Sequence, residues 1–385
     1  MAMDFDQCVA FVRKYASKSE FHGLTQAPST QYGKTKINLT YYSMPDWLAV
    51  ISAARWPKAT GSGEEPLRDV LGAIAMESDI SAVLGFMKLL DGQPIEPAKL
   101  FPQLVLAYKT AVNQHRNSVT GFLNDFTHTG SGRALLAELG RSHRSITVMP
   151  HWHHFIALPG EGYRNASARG IQAGQALSHV TDGIPNDDRD AYAKGALIKT
   201  IVGGETGTGK GANAMVYYSA GAFTDPRFID GRMTDPMVGS AGFQADVVLY
   251  HELAHATRIT DGKETSVPVG GRPNFEDIEE YFATVLANIY LSESRRDAAP
   301  LRGVYAVPTH PKDGRSEMQN PDTFYDNADG LSIPPRELMD TFLATQPKFY
   351  EDLRLLSTPP KFNPPREHFQ RAQKMRAINN QRIPI

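Results

Sequence analysis

The chain has 385 residues, 21% of them charged and 41% hydrophobic, with a formal net charge of −2. That length can bury a large core in one or two domains, and the near-neutral balance gives no whole-chain attraction to nucleic acid or an anionic membrane. The single cysteine, Cys8, excludes an internal disulfide framework and a thiolate metal cage, so any metal must be held by His, Asp or Glu.

The first residues, "MAMDFDQCVAFVRKYASKSEF", place Asp4 and Asp6 ahead of a short apolar patch. They lack the basic start and long apolar run of a secretory signal, and no later stretch reaches the length of a membrane span. The expectation is a soluble chain made in the cytoplasm without a cleavable signal. Residues 4–20 read as a short amphipathic helix. Helical spacing returns at 43–56, "SMPDWLAVISAARW", and again at 66–90 and 97–115, with a turn at 58–66. Residues 1–115 are therefore expected to be a mostly helical N-terminal region, a cap or scaffold. Docking to a secretion-system carrier or chaperone is the alternative role for it.

The pattern changes near residue 116. A short helix is expected at 131–140 and strands at 145–152 and 214–223, where apolar, β-branched and aromatic residues gather. "PHWHHF", residues 150–155, packs His151, His153 and His154 together. Ordinary packing competes there with a second metal site or a place in a substrate cleft. "IVGGETGTGKG", residues 201–211, resembles a phosphate-binding loop through Gly204, Gly209 and Lys210. Gly211 stands where Ser or Thr should hold Mg²⁺, however, and the following residues read as a strand instead of the helix that loop requires.

"DVVLYHELAHATRIT", residues 246–260, contains His251-Glu252-x-x-His255. Positions four apart on a helix differ by about 40° around the axis and about 6 Å along it, so both imidazoles can reach one ion. Glu252 projects to their side, where a carboxylate can take a proton from a zinc-activated water. Asp246 is a fitting N-cap, and Gly262 a fitting stop. Arg258 and Asp261 occupy the positions where a longer metzincin motif needs Gly and His. A carboxylate on a following helix is the remaining source of a third ligand. That helix is expected over residues 273–293, "PNFEDIEEYFATVLANIYLSE", capped by Asn274. Ile278, Phe282, Val285 and Ile289 form its bulky stripe. Its small-residue face carries Ala283, Thr284 and Ala287, with Glu280 central among them. Glu280 is the expected ligand and Glu276 the second choice. Glu276, Asp277 and Glu279 otherwise read as a solvated helix start favoured by the dipole. Beyond it, Tyr305 and His310 in "YAVPTHPKD" could supply an oxyanion donor. Residues 351–385 are Pro-rich and basic and are expected to be extended or loosely packed.

"HELAHA" followed by "EEYFA" resembles the gluzincin zinc metallopeptidases, and among them bacterial toxin and effector proteases. The stretch Glu280-Tyr281-Phe282-Ala283 looks like the ligand helix of anthrax lethal factor. The run of "GRALLAEL", "SITVMP", "VYYSAG", "LYHELAHATR" and "NIYLSE" is similar to NleD-like effector peptidases and to metallopeptidase domains of type VI secretion spike proteins. The resemblance covers roughly residues 116–310. It implies an α+β, zincin-like metallopeptidase domain over 116–350, with a small mixed sheet, an active-site helix and a ligand helix. It also implies Zn²⁺ on His251, His255 and Glu280, with Glu252 as general base. The implied activity is that of a secreted or translocated endopeptidase acting on a target-cell protein. A catalytically inactive zincin-fold binding protein is the first alternative. A nucleotide-dependent protein using residues 204–210 is the second.

Overall fold

The computed structural model describes residues 5–15, 23–54, 80–90, 93, 95–150, 166–170, 198–201, 204–207, 209–218, 244–269, 277–295 and 331–381. The fold is mixed α+β, largely helical, with a small mixed sheet. It divides into two compact units, each assembled from separate segments. The first is 1–122, 145–193 and 213–239; the second is 123–144, 194–212 and 240–385.

The first unit contains α1 (Phe5–Tyr15), α2 (Met44–Ala54), α3 (Ile80–Leu90) and the part of α4 (Pro97–His128) up to Phe122. Its sheet runs in the order β1-β2-β3-β7-β4, formed by Ser29–Gln31, Ile37–Thr40, Ile146–Met149, Ala214–Tyr218 and Ala166–Gly170. The central pairs β2–β3 and β3–β7 are parallel, and the edge pairs β1–β2 and β4–β7 are antiparallel. Ile37, Leu39, Ile146 and Val148 are buried at alternate positions, the period-2 signature of strands with one face in a core. The mostly helical expectation for the first 115 residues missed β1 and β2. Their turn is set by Gly33 (φ 55°), and Tyr32 N–H donates to the Ile37 carbonyl at 2.8 Å. α4 extends well past the expected end at His115. Val119, Leu123 and Phe126 repeat at helical spacing and are fully buried, which outweighs the low propensity of Gly121. Residue 116, where the sequence changes character, therefore lies inside a helix.

The second unit contains the end of α4, α5 (Gly130–Arg141), the β5–β6 hairpin (Ile198–Ile201 and Gly204–Gly207), α6 (Ala245–Asp261) and α7 (Ile278–Ser294). Three more helices complete it: α8 (Pro335–Thr345), α9 (Pro347–Arg354) and α10 (Pro364–Gln381). Residues 364–381 are thus helical and not extended, with residues 362–365 buried and residues 373–379 exposed. Asn363 caps α10, its Oδ1 accepting from Arg366 N–H at 3.1 Å, and Pro364 opens the helix where its missing N–H costs nothing. Tyr350 ties this turn down by donating to the Pro365 carbonyl at 2.8 Å. Among the described residues, no helix is long and apolar enough to cross a membrane.

Candidate metal centre

The site is built on α6 and α7. α6 starts two residues earlier than expected, with Gln244 at the N-cap position and Asp246 inside the first turn. Asp246 instead accepts from the Tyr290 hydroxyl at 2.9 Å and from Arg295 Nη2 at 3.0 Å, both on or next to the last turn of α7. The expected stop at Gly262 is present. Its φ of 64° is the left-handed conformation, and the N–H groups of Gly262 and Lys263 close on the Ile259 and Arg258 carbonyls. α7 is capped by Asp277, whose Oδ1 accepts from Glu280 N–H at 3.0 Å, and not by Asn274, which lies outside the described residues.

The two helices pack antiparallel and are pinned at both ends. Asp246 with Tyr290 and Arg295 holds one end. At the other, Arg258 Nε donates to both Glu279 oxygens, at 2.7 and 2.9 Å. Ala283, Thr284 and Ala287 are buried on α7. Packing from α5 adds support. Glu293 of α7 accepts from the N–H groups of Gly130 and Ser131 at 2.7 and 2.8 Å, satisfying donors at a helix start. Tyr250 of α6 stacks on Tyr290 with ring centroids 4.8 Å apart.

This frame brings His251, His255 and Glu280 together. The two Nε2 atoms are 3.1 Å apart. Glu280 Oε2 lies 3.3 Å from His251 Nε2, and its Oε1 lies 3.5 Å from His255 Nε2. Bonds of about 2.0–2.1 Å around a tetrahedral zinc give ligand–ligand edges of about 3.3–3.4 Å. Each distance lies near that figure, the two to Glu280 ending on different oxygens of its carboxylate, and one donor atom from each residue lies within 4.8 Å of the others, so the group could hold a metal ion through two imidazole nitrogens and the carboxylate.

The three side chains shift one another's charge. Burial opposes charge on Glu280, but the two imidazoles hold its carboxyl well below the usual carboxylate range. Burial likewise opposes charge on His255, and the Glu280 carboxylate overcomes it, raising the imidazolium to about 9. Two nearby acids move the other way. Burial, with Glu279 alongside, pushes Glu264 up to about 7, and burial pushes Asp277 up to about 6.

Glu252 follows His251 on α6 and is buried. Glu279 is not part of a solvated helix start: it is buried and bound to Arg258. Sequence reasoning missed this partner. The available signal was Arg258 itself, three residues after His255 on a helix that then faces two adjacent glutamates. Glu276, Tyr305, His310, His151, His153 and His154 lie outside the described residues.

The glycine-rich segment is taken up by backbone pairing with the end of α6. Gly207 N–H donates to the Glu264 carbonyl at 2.6 Å, Gly209 N–H to Gly262 at 2.9 Å, and Ala212 N–H to Ile259 at 3.2 Å. Gly211 has φ 66°, and a Cβ there would collide with the Thr260 carbonyl. These glycines serve close backbone approach, and strand β7 follows them. No protein-family model, curated protein or solved structure matches the chain.

Proposed function

We propose that the chain is a zinc-dependent endopeptidase of the gluzincin type, with a zincin-like catalytic unit. The observation that carries this reading is the convergence of His251, His255 and Glu280, whose donor atoms lie within 4.8 Å of one another, next to Glu252 in a His-Glu-x-x-His helix. His251, His255 and Glu280 hold the ion. When bound, zinc supplies a Lewis acid that makes water acidic enough to lose a proton near neutral pH and polarises a carbonyl. Glu252 accepts the proton of the attacking water as the C–O bond forms at the scissile carbonyl. It then delivers that proton to the amide nitrogen as the C–N bond breaks, so no covalent enzyme intermediate is required. Tyr305 or His310 is the proposed donor to the developing oxyanion.

The substrate we propose is a protein of a target cell, reached by secretion or translocation of this chain, with residues 1–115 serving a carrier or chaperone. This part rests on the motif resemblance alone. The test compares wild type with Glu252→Gln. Purified wild type should contain about one zinc per chain, and wild type alone should generate new protein N-termini in target-cell lysate. Zinc without cleavage would indicate the catalytically inactive binding protein. Absence of zinc, with chelator-insensitive behaviour, would end the metallopeptidase reading. Nucleotide binding through residues 204–210 has no support in the geometry of that segment, whose Gly207 and Gly209 N–H groups are taken by the Glu264 and Gly262 carbonyls that follow α6.

A further inference from the structure

We infer that Arg258 is a positioning residue for the metal centre: by clamping Glu279 it sets the rotation of α7 that aims Glu280 at the two histidines. This rests on the metal-site reading above. Glu279 and Glu280 are neighbours in the first turn of α7, so their side chains leave the helix about 100° apart. Only one can face the histidines. At the start of a helix both carboxylates have free energy to gain from a cation, and sequence alone gives each the same opportunity. The structure resolves the competition by a charge placed on the opposite helix.

Arg258 is almost fully buried, and every part of its guanidinium is engaged. Nε donates to both Glu279 oxygens, at 2.7 and 2.9 Å. Nη2 donates to the Lys263 carbonyl at 2.6 Å. Nη1 reaches Thr345 Oγ1 at 3.2 Å and Gln346 Oε1 at 3.4 Å, on α8 and the residue after it. The Phe282 ring lies beneath the guanidinium, with its centroid 4.7 Å from the central carbon. Glu279 Oε1 also accepts from Thr265 N–H at 2.7 Å. The Glu279 carboxylate is thereby held by three hydrogen bonds from two donors, and the Asp277 cap fixes the Glu280 N–H in the same turn. Arg258 sits three residues after His255 on the same helix, so one rigid element carries two ligands and the group that orients the third. A planar fork with this many bonds cannot be replaced by a lysine point charge.

The experiment is a double-mutant cycle on metal affinity, read by chelator competition with zinc and by the visible spectrum of the cobalt(II) form. The proteins are wild type, Arg258→Met, Glu279→Gln and the combination, all measured well below their unfolding temperatures. Each single substitution should weaken zinc about 10- to 100-fold, the usual range for groups that orient ligands, and shift the cobalt spectrum. The combination should be no weaker than the worse single, because Arg258 acts through Glu279. Arg258→Lys should recover less than half of the loss on a logarithmic scale. Glu279→Gln keeps the size of the side chain and an acceptor for Thr265, so it carries the test if Arg258→Met does not fold. Wild-type zinc affinity in both single variants, whatever their melting temperatures, would overturn the clamp while leaving the metal site standing. Fully additive losses would overturn it too. A wild type that binds neither zinc nor cobalt would defeat the metal-site reading and the clamp with it.

Discussion

Tyr290 donates its hydroxyl to Asp246 across 2.9 Å, joining the C-terminal end of α7 to the first turn of α6 at the end of the helix pair remote from His251, His255 and Glu280. The Arg258–Glu279 pair does the same work beside the ligands. The two contacts therefore separate stability from metal positioning. Asp246→Ala leaves a buried phenol without its acceptor and should cost about 1–3 kcal/mol of folding stability. Zinc affinity should stay within about threefold of wild type. Thermal unfolding and chelator competition on the same preparation check both halves. A large loss of zinc affinity would mean that the helix pair transmits any loosening to the site.

Removing the third ligand should act on the metal directly. Glu280→Ala should weaken zinc by several orders of magnitude, because solvent does not replace a positioned carboxylate. Protein purified without added metal should then contain little zinc and cleave nothing. Retention of stoichiometric zinc would mean that another carboxylate closes the site.

Glu252→Gln should give the opposite combination. The amide keeps the shape of the side chain but cannot accept a proton, so zinc stays bound while turnover falls by at least about a hundredfold. Near-normal cleavage with bound metal would remove Glu252 from the role of base.

The segment of residues 204–211 makes a backbone prediction. Gly211→Ala forces a Cβ into the left-handed region and against the Thr260 carbonyl, which should cost about 1–3 kcal/mol or more. Lys210 is exposed, and Lys210→Ala should change stability by no more than about 0.5 kcal/mol. Calorimetry should detect no ATP binding to wild type. Micromolar binding that disappears in Lys210→Ala would restore the nucleotide reading.

A fifth prediction concerns acid. His115 is buried against Tyr41, and burial lowers its imidazole to about 4 although the Val148 backbone acts in the opposite direction. The unfolded chain takes up this proton near pH 6.5, whereas the folded chain resists it until about pH 4. Its contribution therefore disfavours folding progressively as pH falls through that window, reaching about 3 kcal/mol at pH 4. His115→Leu should unfold less steeply with acid than wild type over this range. Identical pH dependence of stability in the two proteins would contradict the assignment.

The sequence by itself determined the local half of the site. His251 and His255 share a face because an α-helix repeats every 3.6 residues, and Gly262 ends that helix because it alone adopts a left-handed turn without strain. The stripe of small residues on α7 was legible for the same reason. Local pattern did not reveal what depends on distant partners. β1 and β2 are too short to announce themselves beside strong helical periodicity, and they persist because β2 pairs with the distant β3 and β1 with β2. The proline-rich end of the chain looked extended because proline disrupts helix interiors, yet at Pro364 it starts one. Asp246 resembled a cap until Tyr290 and Arg295 arrived from α7. The same applies to the adjacent pair Glu279 and Glu280, which sequence treats as near equivalents. Tertiary structure distinguished them by burying Arg258 against Glu279, because an ion pair removed from water needs a fixed partner and leaves Glu280 to face the histidines.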